Sequence, residues 1–129
     1  ITQLIYTSGT TGEPKGVMHS DNTVMANIVP YAERLHLFQG DVVLMASPMA
    51  HQTGFMYGLM MPIVLEASAV LLDVWDPGRA VDVIRESGAT FTMASTPFLT
   101  ALSRAVPQSG KPGTFAVTFS HVLPSSFEM

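Results

Sequence analysis

The 129-residue sequence contains no cysteine, and this absence excludes two ways of stabilising a small fold. Neither a disulfide nor a thiolate metal site can form without cysteine. The chain must instead hold together through an apolar core, and its 47% hydrophobic content suffices for one compact domain. The lack of cysteine also fits a reducing compartment, and we expect a cytoplasmic protein.

Positive charge is scarce, since only six lysine and arginine residues occur and the net charge is −4. These residues are scattered along the chain, so the sequence offers no patch for nucleic-acid phosphates. An apolar run of bilayer length is missing too. Residues 54–65 are nearly all apolar, but a transmembrane helix needs roughly 18 to 20 residues, and this segment contains Pro62. We predict a buried helix there and no membrane span.

Hydroxyls, glycines and one lysine are concentrated in the segment from Tyr6 to Gly16, which reads YTSGTTGEPKG. Glycines let a loop turn tightly and bring backbone N–H groups close to an anion. The hydroxyls add hydrogen-bond donors, and Lys15 adds a mobile positive charge. The segment therefore predicts binding of a nucleoside triphosphate. It is not a Walker A loop, because no Gly-Lys-Ser/Thr sequence follows.

This segment resembles the signature loop of the acyl-adenylate-forming superfamily, which includes acyl-CoA synthetases, luciferases and the adenylation domains of peptide synthetases. A second segment, from Pro48 to Phe55, resembles the next motif of that superfamily, in which a histidine precedes a glycine and an aromatic residue. The resemblance implies an ATP-dependent acyl-CoA synthetase that converts a carboxylic acid to acyl-AMP and then to acyl-CoA. Mg²⁺ would be the cofactor and CoA a co-substrate. The expected partners are therefore small molecules, a nucleotide and an acid.

The resemblance also assigns residues to each substrate. His51 is the catalytic candidate and borders the acid together with Phe55, while Thr96 is a third acid-site candidate because it follows a later predicted strand. Methionines near this segment, and the lack of a charged residue beside His51, favour an aliphatic or alicyclic acid. The resemblance is to acyl-CoA synthetases for medium-chain or alicyclic acids. No residue is assigned to a metal. The nucleotide is assigned to Thr7, Ser8, Gly9, Thr10, Thr11, Gly12 and Lys15.

Short apolar runs alternate with helix-like stretches, and the runs are continuously apolar rather than alternating. This pattern predicts an α/β fold, a mostly parallel sheet flanked by helices. By resemblance it would be part of the superfamily's large N-terminal domain. Ligand loops of a parallel sheet lie at the carboxyl ends of the strands, so we expect the candidate loops to share one cleft. The predicted strands are residues 4–7, 42–46, 70–73, 91–94 and 116–119.

The chain, residues 1–129, is predicted to be a single partial domain, because members of the superfamily are expected to be several times longer. Residues 115–129 depart from the family pattern, which has a glycine-rich turn there; a natural end and a shifted reading frame both explain this. We expect the fragment alone to be inactive and to self-associate through its sheet edges. Two alternatives stay open: a non-catalytic nucleotide-binding or interaction module, and a fragment of another adenylating branch such as a peptide-synthetase adenylation domain.

Overall fold

The computed structural model describes residues 1–7 and 12–106, and it begins with an antiparallel hairpin. Strand β1 (Gln3–Thr7) pairs with β2 (Lys15–His19). The apolar pattern predicted that the first strand belongs to the parallel sheet. The antiparallel pairing shows that this prediction was wrong. Only residues 8–14 connect the two strands, whereas a parallel crossover needs about a dozen residues or more.

The central sheet is parallel, as predicted, with strand order β4-β3-β5. Strand β3 (Val42–Met45) lies between β4 (Ser68–Leu71) and β5 (Phe91–Thr92). Strand β4 begins two residues before the predicted start. Strand β5 ends two residues before the predicted end, because the chain must turn into a helix that is capped by Ser95. The predicted α/β fold, with a parallel sheet and helices, is confirmed.

Helix α1 (Asp21–Leu35) follows β2 directly and begins with a capping box. The hydroxyl of Ser20 accepts from the N–H of Thr23 at 3.3 Å, and Oγ1 of Thr23 accepts from the N–H of Ser20 at 2.9 Å. The helix continues through Pro30, which cannot donate an intrahelical hydrogen bond. It ends at His36, whose backbone is left-handed with a φ of 55°. Burial of the apolar face of α1 outweighs the cost of the proline.

Four further helical segments follow within residues 36–106. The apolar segment is helical, as predicted, but its first part is a π-helix rather than an α-helix. It is only partly buried, whereas a buried helix was predicted, because Leu59 and Ile63 are exposed. Asp76 and Thr96 each precede a proline in the sequence, a pattern that predicts a helix N-cap. Asp76 is the N-cap of α3, as this pattern predicts. The sequence pattern predicts Thr96 as the N-cap of α4, but the N-cap is Ser95, one residue earlier. The segments are the π-helix (Gly54–Met60), α2 (Met61–Leu65), α3 (Pro77–Ser87) and α4 (Thr96–Ala105).

Strand β3 is buried on both faces and separates two apolar clusters. Val43 packs in the cluster built by α1, the π-helix and α2, whereas Leu44 packs in the cluster built by α3 and α4. Successive side chains of a strand point to opposite faces, which is why β3 must be apolar throughout. The first cluster contains Val24, Ile28, Val43, Met56 and Met61, and the second contains Leu44, Leu72, Ala80, Val81, Val83 and Leu102.

Polar contacts join the amino ends of β3 and β5. Oγ1 of Thr90 donates to the Asp41 carboxylate at 2.7 Å and accepts from the N–H of Val42 at 3.1 Å. The other carboxylate oxygen of Asp41 accepts from the N–H of Phe38 at 2.8 Å. These contacts help to fix the register of the two strands whose carboxyl-end loops carry the candidate acid site.

The predicted strand at 116–119 and the predicted departure from the family pattern at 115–129 lie outside the described residues. Within residues 1–7 and 12–106, no helix is both long enough and apolar enough to cross a bilayer.

Candidate nucleotide and acid site

Thr7 and Lys15 form the last residue pair of the hairpin, at the end that carries the connecting loop. They are directly opposite each other in the ladder, and Oγ1 of Thr7 donates to the backbone carbonyl of Lys15 at 3.4 Å. Both residues are exposed. The structure therefore places the first hydroxyl of the predicted nucleotide loop beside its lysine, at the two ends of the connecting segment.

The two faces of the hairpin differ in exposure, and Lys15 is on the inner one. Residues opposite each other in an antiparallel pair project to the same side. Thr7 and Lys15 therefore share a side with Gln3, which is only 8% exposed, and with Ile5, which is half-buried. The other side carries exposed apolar residues, Leu4, Tyr6 and Met18. The lysine of the candidate loop thus lies on the side that faces the protein further along the hairpin.

Gly12 is the position in this loop where the structure requires glycine. Its φ is 156°, a value that residues with a Cβ rarely adopt. Among the described residues, none apart from its chain neighbours has an atom within 4 Å of the space that a Cβ would occupy, so the requirement is one of backbone conformation. The remaining residues assigned to the nucleotide, Ser8, Gly9, Thr10 and Thr11, lie outside the described residues.

His51 lies in the loop that follows the carboxyl end of β3. Its N–H donates to the carbonyl of Pro48 at 2.9 Å, which closes a turn, and its carbonyl accepts from the N–H of Phe55 at 3.0 Å. Nδ1 of its ring accepts from the N–H of Thr53 at 3.2 Å. A ring nitrogen that accepts carries no proton, so in neutral His51 the proton is on Nε2. The side chain is exposed, and Nε2–H is a donor toward the outside of the loop.

Phe55 is half-buried on the π-helix and packs against the cluster of α1 and β3. The helix sits very close to the loop before it. A Cβ on Gly54 would contact the backbone carbonyl of Pro48 and come within 2.8 Å of the carbonyl oxygen of Ser47. Because glycine permits this approach, the loop that holds His51 is fixed directly onto the helix that holds Phe55.

Thr96 is exposed and is the first residue of α4, so it follows the carboxyl end of β5. Strands β3 and β5 are neighbours in the parallel sheet. The loops that carry His51 and Thr96 therefore leave the same edge of the sheet from adjacent strands, as predicted.

Helix α1 relates the hairpin to this edge. It packs on β3 through Val24 and Ile28, and it ends shortly before β3 begins. The helix therefore runs back along the sheet in the direction opposite to β3. Strand β2 leads directly into the first turn of α1 and contacts that helix, so the hairpin lies at the end of α1 opposite to the end that leads into β3.

A pair of tyrosines that the sequence analysis did not assign to the site joins α1 to the π-helix. The hydroxyl of Tyr57 donates to Oδ1 of Asn27 at 2.9 Å. The ring of Tyr31 lies 5.0 Å from that of Tyr57, and its hydroxyl is 3.9 Å from Sδ of Met93. In the sequence, Tyr31 recurs with Val24 and Ile28 at helical spacing, which predicts only that it lies on the apolar face of a helix. No signal in the sequence marks the contact with Tyr57, because it depends on tertiary packing.

Burial raises the pKa of Tyr31, and the neighbouring hydroxyl of Tyr57 raises it further. Burial also raises the pKa of Tyr57, while the hydrogen bond to Asn27 lowers it. Both hydroxyls therefore stay protonated at neutral pH, and the Tyr57 O–H remains the donor to Asn27.

The described part of the candidate site fits a triphosphate. It offers a lysine, a threonine hydroxyl and a glycine whose backbone angle opens the loop, which are groups suited to an anion. Within residues 1–7 and 12–106, no group of three histidine, cysteine, aspartate or glutamate side chains is arranged to hold a metal ion.

Comparison with known families agrees with this geometry. The family model described as AMP-binding enzyme matches residues 1–125. The chain belongs to the AMP-binding enzyme family. The match begins before the hairpin and includes the loops that carry His51 and Thr96. The resemblance to adenylate-forming enzymes is thereby confirmed.

Relatives within the AMP-binding enzyme family are CoA ligases. The chain is 36% identical over 99 residues to the medium-chain fatty-acid–CoA ligase of Escherichia coli, covering 77% of this chain and 18% of that protein. It is 31% identical over 109 residues to the 4-chlorobenzoate–CoA ligase of a Pseudomonas species, covering 83% and 21%. The chain thus spans about a fifth of the length of these curated relatives.

Solved structures support the same fold. The O-succinylbenzoate CoA synthetase of Bacillus subtilis in complex with AMP superposes with a TM-score of 0.73 at 29% identity, covering 78% of this chain and 26% of that one. The same enzyme in complex with ATP and a magnesium ion superposes with a TM-score of 0.72.

Proposed function

We propose that this chain is the part of an ATP-dependent acyl-CoA synthetase that holds the triphosphate and borders the acid. The observation that carries the proposal is the exposed pair Thr7 and Lys15, which lie opposite each other at the loop end of a hairpin that leads directly into α1. The CoA ligases among its relatives favour CoA as the final acceptor. We call the longer protein that would contain this chain the complete ligase.

The proposed reaction has two steps. In the first, a carboxylate oxygen attacks the α-phosphorus of ATP, an O–P bond forms, and the bond to pyrophosphate breaks. In the second, the CoA thiolate attacks the acyl carbon, and AMP leaves with the electron pair of the C–O bond. Mg²⁺, when bound, neutralises phosphate charge in the first step.

In the first step Lys15 would hold the β- and γ-phosphates while the leaving pyrophosphate gains charge. A positive charge placed before the reaction stabilises this transition state more than a mobile solvent ion does. The loop hydroxyls would add donors, Thr7 by turning its O–H away from the Lys15 carbonyl, and the loop N–H groups would complete the anion site. The carboxylate could then approach the α-phosphorus against reduced repulsion.

The acid would lie between the loops of β3 and β5. Nε2–H of His51 is the donor there for a carboxylate oxygen of the acid, and Phe55 supplies an apolar wall. The half-buried Met60 of the π-helix supports an apolar tail, and the similarity to a medium-chain fatty-acid–CoA ligase supports a medium-chain acid, with an alicyclic acid as the second choice. We further propose a cytoplasmic location, consistent with the lack of cysteine.

We expect His51→Ala in the complete ligase to lower kcat/KM for the acid about tenfold while the KM for ATP changes less than twofold. His51 leaves the sheet after β3, whereas the nucleotide loop belongs to the hairpin. Steady-state kinetics with each substrate varied in turn will measure the two effects. His36→Asn is the matched control, because it removes an exposed imidazole elsewhere and asparagine tolerates the left-handed backbone of that position. A selective rise in the KM for ATP would place His51 in the nucleotide site instead.

The 129-residue chain by itself is expected to release no AMP from ATP in the presence of Mg²⁺ and a panel of medium-chain and alicyclic acids. It spans only about a fifth of its relatives, and a preorganised site cannot be replaced by one loop and one lysine. The complete ligase, run in parallel, is the positive control. Acid-dependent AMP release by the chain alone would contradict the expectation, and failure of both proteins would contradict the proposed function.

Self-association of the isolated chain is a further proposal. Leu71 at the end of β4 is 58% exposed, and Val74 just beyond it is 70% exposed. Exposed apolar residues beside a sheet edge favour pairing with a second copy.

A further inference from the structure

The contact between Tyr57 and Asn27 joins the two halves of the candidate site. Tyr57 is on the π-helix, two residues after Phe55, and Asn27 is on α1. The 2.9 Å hydrogen bond between them is reinforced by the ring of Tyr31, which lies against Tyr57 and edge-on to Phe91 at 6.2 Å. The two tyrosines border the same buried cluster as Phe55.

Helix α1 is tied firmly to the nucleotide hairpin. Its first turn is held by the capping box of Ser20 and Thr23, and the hydroxyl of Thr2, on the hairpin, donates to the Asp21 carboxylate. The N–H of Thr2 also donates to the carbonyl of His19 at 2.8 Å. Asn27 is six residues beyond Asp21, which is roughly 9 Å along a helix. Because α1 is held to the hairpin at its first turn and contacts the π-helix through Asn27, the distance between the hairpin and the π-helix depends on the contact of Asn27 with Tyr57.

From this geometry we propose that Asn27 is a positioning residue of the acid site. By accepting the hydrogen bond of Tyr57, it sets the place of the π-helix, and hence of His51 and Phe55, relative to the triphosphate loop. This inference rests on the proposed function. Its chemical reason is that attack of a carboxylate on phosphorus is sensitive to displacements of about 1 Å between the two reactants. Asn27 itself touches neither substrate in this proposal.

The test uses the complete ligase and measures acid-dependent exchange of pyrophosphate into ATP. Asn27→Ala and Tyr57→Phe are each expected to lower kcat/KM for the acid about tenfold, with the KM for ATP unchanged within twofold. The double variant should lose no more than the worse single variant, because both changes remove the same contact. Asn27→Asp should restore most of the activity, since a carboxylate also accepts from a tyrosine hydroxyl.

Asn22→Ala is the matched control, because it removes an exposed asparagine from the first turn of the same helix and should leave the kinetics unchanged. Additive losses in the double variant, failure of Asn27→Asp to rescue, or equal changes in both Michaelis constants would overturn the positioning role. Absence of exchange with any acid in the unsubstituted ligase would instead refute the proposed function, and this inference with it. The two failures are therefore distinguishable.

Discussion

Gly54→Ala is expected to destabilise the 129-residue chain by about 3 kcal/mol or more, because the loop before the π-helix leaves no room for a methyl group. A Cβ at this position would lie 2.6 Å from the carbonyl carbon of Pro48 and 2.8 Å from the carbonyl oxygen of Ser47. All of these neighbours are backbone atoms, so no side-chain rotation relieves the clash. Relief requires the loop to move away from the helix, and His51 moves with it. Urea unfolding followed by circular dichroism will measure the loss.

Gly78→Ala is the matched control for this variant. Gly78 is exposed on α3, and the nearest atom to an added Cβ is a carboxylate oxygen of Asp76 at 3.3 Å. Alanine is the better helix former, so we expect a stability that is unchanged or raised by up to about 1 kcal/mol. If the free energy of unfolding of Gly54→Ala lies within about 1 kcal/mol of that of the unsubstituted chain, the loop does not approach the helix as closely as in this structure.

Lys15→Ala in the complete ligase is expected to slow acid-dependent exchange of pyrophosphate into ATP by about a hundredfold, a typical loss when one preorganised charge-stabilising group is removed. Lys15 is exposed at the end of β2, so the fold should be unaffected by its truncation. The exchange rate with labelled pyrophosphate and an unchanged circular dichroism spectrum will test both statements.

Arg34→Ala is the control for the change in net charge, because Arg34 is an exposed cation in the last turn of α1, at the end far from the hairpin. Lys15→Arg should retain part of the activity, since it keeps the charge but not the compact ammonium group. Equal exchange rates for Lys15→Ala and Arg34→Ala would mean that Lys15 acts only as a surface charge.

Much of the fold followed from local pattern. The continuous apolar run at β3 predicted a strand buried on both faces, and Val43 and Leu44 do pack on opposite sides. Asp76 before a proline predicted the start of α3, because an N-cap side chain and a fixed φ act within one turn. The N-cap at Ser95 differed by one residue from the prediction, since serine and threonine are both good caps and only the backbone angles distinguish them.

The prediction that β1 belongs to the parallel sheet was wrong, because the sequence of a strand does not specify its partner. The short connection to Lys15 was the signal that could have shown it, since only an antiparallel partner is within reach. The π-helix was also not predictable from apolar content, because hydrophobic periodicity does not separate π from α winding in so short a segment.

The sequence by itself determined the family, the parallel α/β fold and the identity of the candidate residues Lys15, His51 and Thr96, because these depend on motifs and on local apolar pattern. Only the tertiary structure decided which side of the hairpin Lys15 faces, that Gly54 locks the His51 loop onto the π-helix, and that Asn27 meets Tyr57. The physical reason is the distance along the chain over which each kind of interaction acts. Motifs and caps act over a few residues, whereas the contact of Asn27 with Tyr57 joins two helices that meet only in the packed fold. The side on which Lys15 lies and the close approach at Gly54 depend on how the chain folds back on itself.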